Sequence, residues 1–422
     1  MNGVGALWPA LLPSARYGDD SICAVSAKGV TIRFADGRDL LCATSGLWNC
    51  SLGYGNEAIA EACADALREA SYLSVFRYEN DYARRAAEAL VALAGADHYG
   101  RVIFSTSGGA AIDLVIKLVR LYQLVRGEGG RRLVVRLRNS FHGLTYGSFG
   151  LTGEPLGQQI YSVDQRFVRH VSPNSVEELN ALVEREGRSI AAFVVEPVLG
   201  TGTVELEEPF LRELFRHRSE HGFLVVADEV ATGFGRTGSM FASCNWPAKP
   251  DGLVLSKALT NGTCGAAALV VSRDVSEMMA NSEAVLAHGE TQAGTPPTCA
   301  AICATLGEFD RLDAVERGRR ISDYLDRELD SLEHRLPIEA RTVGKGLFRT
   351  LSLVLDSGEP LPQSNVAALV ESVREAGAVV HPGLNGAQLV PALIYSETNA
   401  TDLVTILETG IRSFCDSFSR SK

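Results

Sequence analysis

From residue 100 onward, apolar residues gather in short unbroken runs separated by longer stretches of helical spacing. The runs cover 101–104, 133–136, 190–195, 223–227, 253–255 and 266–271. Runs this short that are apolar throughout predict strands covered on both faces. The segment 110–125 between the first two predicts a helix. Strands interleaved with helices predict an α/β unit, a mostly parallel sheet with helices on both sides. The run at 266–271 follows residue 255 too closely for a crossover helix, so it predicts an antiparallel strand.

The pattern differs at both ends. Residues 30–34, then Asp36-Gly37, then 39–42 predict a small hairpin. Gly53-Tyr54-Gly55 predicts a turn, and Asn56 a cap for a helix over 57–70. A second helix is predicted over 81–93. Helical spacing returns at 298–309, 313–335 and 364–377, with shorter strand-like pieces between, which predicts a smaller α+β unit from about 315. Internal repeats and low-complexity linkers are not expected.

At 422 residues and 46% hydrophobic content, the chain can bury a large core in more than one domain. The formal net charge of -11 argues against a nucleic-acid surface, and the densest basic group, Arg131-Arg132 with Arg136 and Arg138, is short. Nine scattered cysteines, an odd number without a repeating framework, suggest reduced thiols and a cytoplasmic location. Cys299 and Cys303 stand one helical turn apart, but no further His or Cys completes a metal site, so no metal is expected. The start of the chain carries Trp8, Pro9 and Pro13 without a signal-peptide pattern. Its apolar runs are too short to span a membrane.

Candidate chemistry lies where the predicted strands end. Lys257 follows 253–255, and Asp228-Glu229 follows 223–227. Ligand crevices in open α/β sheets lie outside the carboxyl ends of the strands. A lysine that can condense with an aldehyde, beside an acid that can keep a ring nitrogen protonated, is the pair that pyridoxal phosphate requires. Taken alone, Lys257 is equally an ordinary snorkelling lysine. Ser107-Gly108-Gly109 stands between strand and helix, where backbone N–H groups receive phosphate, although a plain tight turn has even odds. Phe141-His142 follows the next strand; Phe141 could stack on a flat ring, and a core Phe with a surface His is the blander reading. Glu196 follows 190–195. Gly233-Phe-Gly235-Arg236-Thr-Gly238 implies unusual backbone geometry, with Arg236 expected to fix the loop through an ion pair. The Thr291 hydroxyl could bind phosphate, though loop threonines are usually structural.

These residues together resemble the class III, or omega, aminotransferases of pyridoxal-phosphate fold type I, over nearly the whole chain. The stretch Asp228-Glu-Val230-Ala-Thr-Gly-Phe-Gly-Arg236-Thr-Gly238, followed by Pro250-Asp251 and Ser256-Lys257, carries the likeness. The resemblance implies a mostly parallel seven-stranded sheet in a large cofactor-binding domain, 76–314, and a smaller α+β domain, 315–422. Segment 1–75 would join the small domain and the active-site rim. It implies that Lys257 carries the cofactor aldehyde and that Asp228 faces the ring nitrogen. Val230 and Phe141 would take the two ring faces. Ser107, Gly108 and Gly109 would hold the phosphate, Glu196 and His142 would lie at the cofactor, and Thr291 would complete the neighbouring site of a homodimer. Trp48 and Tyr54 would line the substrate pocket, as in the amine:pyruvate branch. The implied reaction is ping-pong transfer of an amino group from an amine donor to a carbonyl acceptor.

Two departures bear on the substrate. The phosphate turn reads Ser107-Gly-Gly-Ala110-Ala111 where many relatives have SGSEA. Where relatives often place an arginine near the C-terminus, this chain has Gln388, and the best match to the mobile arginine of the amine:pyruvate branch is His381-Pro382. A carboxylate is best held by a bidentate guanidinium. The expected acceptor is therefore a carbonyl without an adjacent carboxylate, such as the ketone-bearing end of a peptide in a daptide-type pathway. The segment Leu7-Trp-Pro-Ala-Leu-Leu-Pro13 also looks like that branch. A class III aminomutase, an amine:pyruvate-type small-molecule transaminase and a non-enzymatic regulator that binds pyridoxal phosphate are the competing readings.

Overall fold

The computed structural model describes residues 6–420, so the outermost residues of the 1–75 and 315–422 segments lie outside the described residues. Seven strands form the central sheet, in the spatial order Tyr99–Ser105, Ala267–Ser272, Gly252–Ser256, Leu224–Asp228, Ile190–Val195, Leu133–Leu137, Val168–Val171. The last five in that order are mutually parallel. Ala267–Ser272 runs antiparallel to both neighbours, as its short connection predicted.

Burial explains why these segments are strands. All six residues of Ile190–Val195 are buried. Ala192 and Val194 pack with Leu114 and Val115 of the helix Gly108–Val125. Phe193 and Val195 pack with Phe210 and Leu214 of the helix Glu208–His221. The two-residue period of a strand sends neighbours to opposite faces, so a strand covered on both sides is apolar at every position.

The hairpin predicted at 30–42 forms between Thr31–Phe34 and Asp39–Cys42. It belongs to a four-stranded sheet with Ala24–Lys28 and with Ala378–Val379, which pairs in parallel with Asp39–Cys42. The N-terminal segment is thereby joined to the C-terminal part of the chain. A third, antiparallel sheet contains Glu339–Lys345, Phe348–Val354, Gly386–Leu389 and His381–Pro382. Leu369 and Val373 of the helix Gln363–Ala376 share one core with Leu403 and Leu407 of the helix Glu397–Arg420.

Several elements lie outside the apolar-run reading. Val168–Val171 is an edge strand whose Arg169 and His170 interrupt the apolar pattern. Ala24–Lys28 is an edge strand that is mostly exposed. The helix Glu397–Arg420 buries Ala400, Leu403, Val404, Leu407, Ile411 and Phe414, a helical spacing present in the sequence among many Thr and Ser residues of low helix propensity.

Asp251 anchors the strand that leads to Lys257. Its carboxylate accepts from Val225 N and from Arg218 Nε, both at 2.8 Å, and its second oxygen accepts from Arg218 Nη2. Asp251 is 3% exposed at the side chain and Arg218 28%. Replacing Asp251 by Ala leaves a mostly enclosed guanidinium and a strand N–H without their acceptor. Asp251→Ala is expected to lower unfolding free energy by about 2–4 kcal/mol, the range for breaking a mostly buried charged pair. Urea denaturation measures it; a loss under about 0.5 kcal/mol, the scale of a surface change, would remove Asp251 from this role.

Candidate active site

The strand ends predicted to carry chemistry converge. Lys257 follows Gly252–Ser256, Asp228 ends Leu224–Asp228, Glu196 follows Ile190–Val195, and Phe141 and His142 follow Leu133–Leu137. These residues line one cavity of about 160 Å³ together with Trp48, Gly108, Gly109 and Val230. A larger cleft of about 840 Å³ lies elsewhere, lined by Phe76, Tyr78, His288 and Glu290, and contains none of the strand-end acids. The smaller cavity is the candidate site because the titratable groups meet there.

Each acid in this cluster has defined donors. The two oxygens of Asp228 are 2.7 Å from His142 Nδ1 and 3.1 Å from Val230 N. Glu196 accepts from Phe141 N and Gly200 N, both at 2.9 Å. Burial pushes the Glu196 carboxyl up to about 7, and the nearby Asp228 charge adds to this; His142 and the two backbone donors oppose it. Glu229 faces away from the cavity lining and is buried against Thr232 Oγ1 at 2.5 Å and Ser243 N at 2.7 Å. Burial pulls the Lys257 amine down to about 8, against the attraction of Asp228 and Glu196. A lysine in that range supplies neutral amine near neutral pH, as a nucleophile or proton carrier must.

Trp48 covers this amine, with Lys257 Nζ 4.0 Å from the ring centroid. The ring also meets Phe348 and His381, at centroid distances of 5.4 and 5.6 Å. Burial, with the nearby Lys257 charge, lowers the pKa of His381. A left-handed turn delivers Trp48: Ser45, Gly46, Leu47 and Trp48 have φ of 46°, 59°, 58° and 71°. A Cβ on Gly46 would lie 2.9 Å from the Tyr54 hydroxyl, so only glycine fits there without movement. Lys257 itself has φ 50°.

Arg236 corrects the sequence reading. It is 1% exposed, and no ion pair holds it among the described residues. Its guanidinium donates to Pro391 O at 2.5 Å, Leu347 O at 3.4 Å, Ser51 Oγ at 2.9 Å and Ser45 Oγ at 3.4 Å. Burial lowers its pKa to about 10, so it stays cationic at neutral pH.

Five predicted site residues lie outside the cavity lining, one of them His381, which meets the Trp48 ring. Ser107 is exposed, and its hydroxyl caps the helix Gly108–Val125 by accepting from Ala110 N at 3.2 Å. The Tyr54 hydroxyl sits 3.2 Å from Cys42 Sγ, beneath the Gly46 turn. Gln388 is buried and donates to Gly200 O at 2.8 Å, which couples the third sheet to the loop that holds Glu196. Thr291 is exposed, and its carbonyl accepts from the Tyr72 hydroxyl at 2.8 Å. Glu290, which the sequence reading passed over, accepts from the hydroxyls of Ser105 and Thr106 and from Thr106 N at 3.2 Å. It pins the Thr291 loop to the turn before Gly108. Its chain position beside a His-Gly pair gave no sign of this long-range contact.

The donor set suits a pyridine aldehyde phosphate. It offers one amine of lowered pKa, one carboxylate steadied by an imidazole, and glycines at a helix start. A Cβ on Gly108 would approach Val230 Cγ1 to 3.2 Å, and one on Gly143 would reach Gly109 Cα at 2.6 Å, so side chains at either position would crowd the cradle. His142 Nε2 and Trp48 Nε1 are buried without a protein partner, as polar atoms awaiting a ligand are. Among the described residues, no arginine lines the cavity.

The comparisons with known proteins agree with this chemistry. The family model for class-III aminotransferases matches residues 14–411. The acetylornithine aminotransferase of Mycobacterium leprae is 31% identical, with 93% of this chain and 91% of that protein covered. The omega-aminotransferase of Caulobacter vibrioides is 27% identical, with 96% of each covered. A solved amine transaminase from an uncultivated Pseudomonas species, in its PLP-bound form, superimposes with a TM-score of 0.91 at 27% identity, covering 98% of this chain and 100% of that one. The chain thus belongs to the class-III aminotransferases, and is a pyridoxal-phosphate-dependent transaminase.

Proposed function

We propose that this aminotransferase delivers its amino group to a ketone or aldehyde with no carboxylate beside the reacting carbon, the ketone-bearing end of a daptide-type peptide being the specific case. The observation that carries the reading is the absence of a guanidinium from the described cavity lining. Gln388 already donates to Gly200 O, and burial beside Lys257 disfavours a charge on His381. Arg236 is fully engaged by carbonyls and hydroxyls. A substrate carboxylate would enter beside Asp228 and Glu196 with no guanidinium to pair with, the one cationic group of the described lining, Lys257, being committed to the cofactor. The exposed apolar arm with Leu7, Trp8 and Leu11 is further support for a partner larger than a small molecule.

The roles follow from position. Bound pyridoxal phosphate supplies the electron sink for the pair released when the substrate C–H bond breaks. Lys257 Nζ would hold the cofactor aldehyde until a substrate amine displaces it, then carry the proton between the substrate carbon and the cofactor's exocyclic carbon. Asp228 would keep the ring nitrogen protonated, with His142 as its positioning partner. Val230 and Phe141 would pack on the two ring faces. Gly108 and Gly109 would offer N–H groups to the phosphate, with Ser107 shaping the turn. Glu196, Trp48, Tyr54, His381 and Gln388 would shape the substrate side. Segment 76–314 would then carry the cofactor, and 1–75 with 315–422 would close over it.

A homodimer fits the exposed apolar surface. Phe76, Tyr78 and Val285 beside the larger cleft are 47%, 75% and 86% exposed, and Thr291 lies on the same loop region. Thr291 would then serve the neighbouring subunit's phosphate. The free cysteines suit the reducing cytoplasm, and no described helix is long and apolar enough to cross a membrane.

Three measurements test these readings. With the enzyme first loaded with amine, neutral ketones or a peptide ketone should restore the visible absorbance of the cofactor faster than 2-oxoglutarate does, and Lys257→Ala should abolish turnover. Preference for 2-oxoglutarate would end the substrate proposal while leaving transamination intact. The rate at which apoenzyme takes up pyridoxal phosphate should rise about tenfold per pH unit below pH 8 and level off above it, because only the neutral Lys257 amine attacks. A rate still rising about tenfold per unit through pH 9, as an ordinary lysine gives, would contradict a lowered lysine pKa. Light scattering should report a dimer; a fully active monomer would remove Thr291 from the site.

A further inference from the structure

The helix Glu208–His221 ends in the run His217-Arg-Ser-Glu220-His221, at the end of the following strand opposite to Asp228. His217 and His221 are four residues apart, so their side chains share one helix face. Their ring centroids lie 5.8 Å apart. One ligand atom each from His217, Glu220 and His221 lies within 4.8 Å of the others. A cavity of about 570 Å³ opens beside both rings, remote from Lys257.

One cation, Arg216, already sits on the acids of this face, and Arg185 and Arg188 line the same cavity. Arg216 places its guanidinium on Glu220, 2.6 Å from both carboxylate oxygens, and on Glu213 at 2.6 Å. The same group stands 3.2 Å from His217 Nε2 and 3.5 Å from Nδ1. Asn180 Oδ1 accepts from His217 Nε2 at 2.6 Å. With its proton held on Nε2, the imidazole turns an Nδ1 lone pair toward Glu220, whose nearer oxygen is 3.9 Å away. An amide holding one nitrogen of a ring so that the other can coordinate is the usual support of a histidine ligand. The ring of His221 makes no hydrogen bond among the described residues.

We infer that His217, Glu220 and His221 form a second site on this protein, one that binds a borderline divalent cation such as Zn2+. Two imidazoles and one carboxylate select zinc-like ions over magnesium or calcium, which require oxygen ligands. Zinc bonds of about 2.0–2.2 Å bring tetrahedral ligand atoms to about 3.4 Å, so the three side chains close by roughly 1 Å on binding. The exposed Arg216 side chain gives up Glu220 and swings into solvent. The cavity side leaves the fourth position to water. A metal bridging the last turn of the helix stabilises the segment that feeds the Leu224–Asp228 strand.

Calorimetric titration of ZnCl2 into the tag-free, cofactor-loaded enzyme tests the site. Wild type should bind one zinc per chain and unfold at higher temperature with zinc than without. His221→Ala should weaken that binding at least ~10-fold and lose the thermal shift, with transaminase kcat unchanged as the check that it folds. Arg216→Ala should bind zinc more tightly than wild type, because Glu220 no longer has a competing cation. A purely structural salt-bridge ladder would not produce that gain. No saturable binding by wild type, equal affinity in His221→Ala, or weaker binding in Arg216→Ala would each overturn the assignment; equal affinity would place the zinc on thiols instead.

Discussion

Charged groups standing at the ends of fully buried strands are the constraint on which the rest of this structure depends. Removing an ion from water costs several kcal/mol unless donors or an opposite charge replace the lost hydration. Asp228 meets this with His142 and the Val230 N–H, Glu196 with the N–H groups of Phe141 and Gly200, and Glu229 with Thr232 and Ser243. All of these donors but Ser243, which lies in the short 3-10 helix Ala242–Asn245, stand on a loop after a strand. The acids therefore fix the loops as much as the loops place the acids, and Phe141, Val230 and Gly200 have little freedom left.

Arg236 extends the same logic to the meeting of distant segments. Its guanidinium is a buried cation answered by neutral oxygens from the Ser45–Ser51 region, from Leu347 and from Pro391. A lysine could not match it, because a compact ammonium cannot spread donors over so many directions. The oxygens also hold the left-handed turn that brings Trp48 over Lys257. Left-handed backbone costs an L-residue roughly 1–2 kcal/mol, and Ser45, Leu47, Trp48 and Lys257 all adopt it. Strain of this kind persists where surrounding contacts over-determine it, and here it is gathered around the reactive amine.

The electrostatic balance of the cavity then sets its chemistry. Two carboxylates and one lysine leave it acidic or neutral, depending on whether Glu196, raised by burial to about 7, carries a proton. On the proposed reading, the glycine turn where the helix Gly108–Val125 begins would receive the anionic group of pyridoxal phosphate. At Trp48, which Phe348 and His381 back with their rings, the cavity wall is aromatic. Those rings are the surroundings that would favour the proposed uncharged carbonyl over a dicarboxylate.

The sequence by itself determined the alternation of buried strands and helices, because a strand covered on both faces has to be apolar at every position. It also placed Lys257, Asp228, Glu196 and Phe141 at strand ends, since the apolar runs stop there. It left edge strands such as Val168–Val171 unread, because an edge tolerates Arg169 and His170 and loses the pattern. Only the tertiary structure decided what each polar side chain does. Gln388 reaches Gly200, Glu290 reaches Ser105 and Thr106, and Arg236 binds carbonyls in place of a carboxylate. These contacts join residues far apart in the chain. Burial forces every polar group to find some partner, but which partner depends on the packing of whole elements against each other, and no local pattern encodes that.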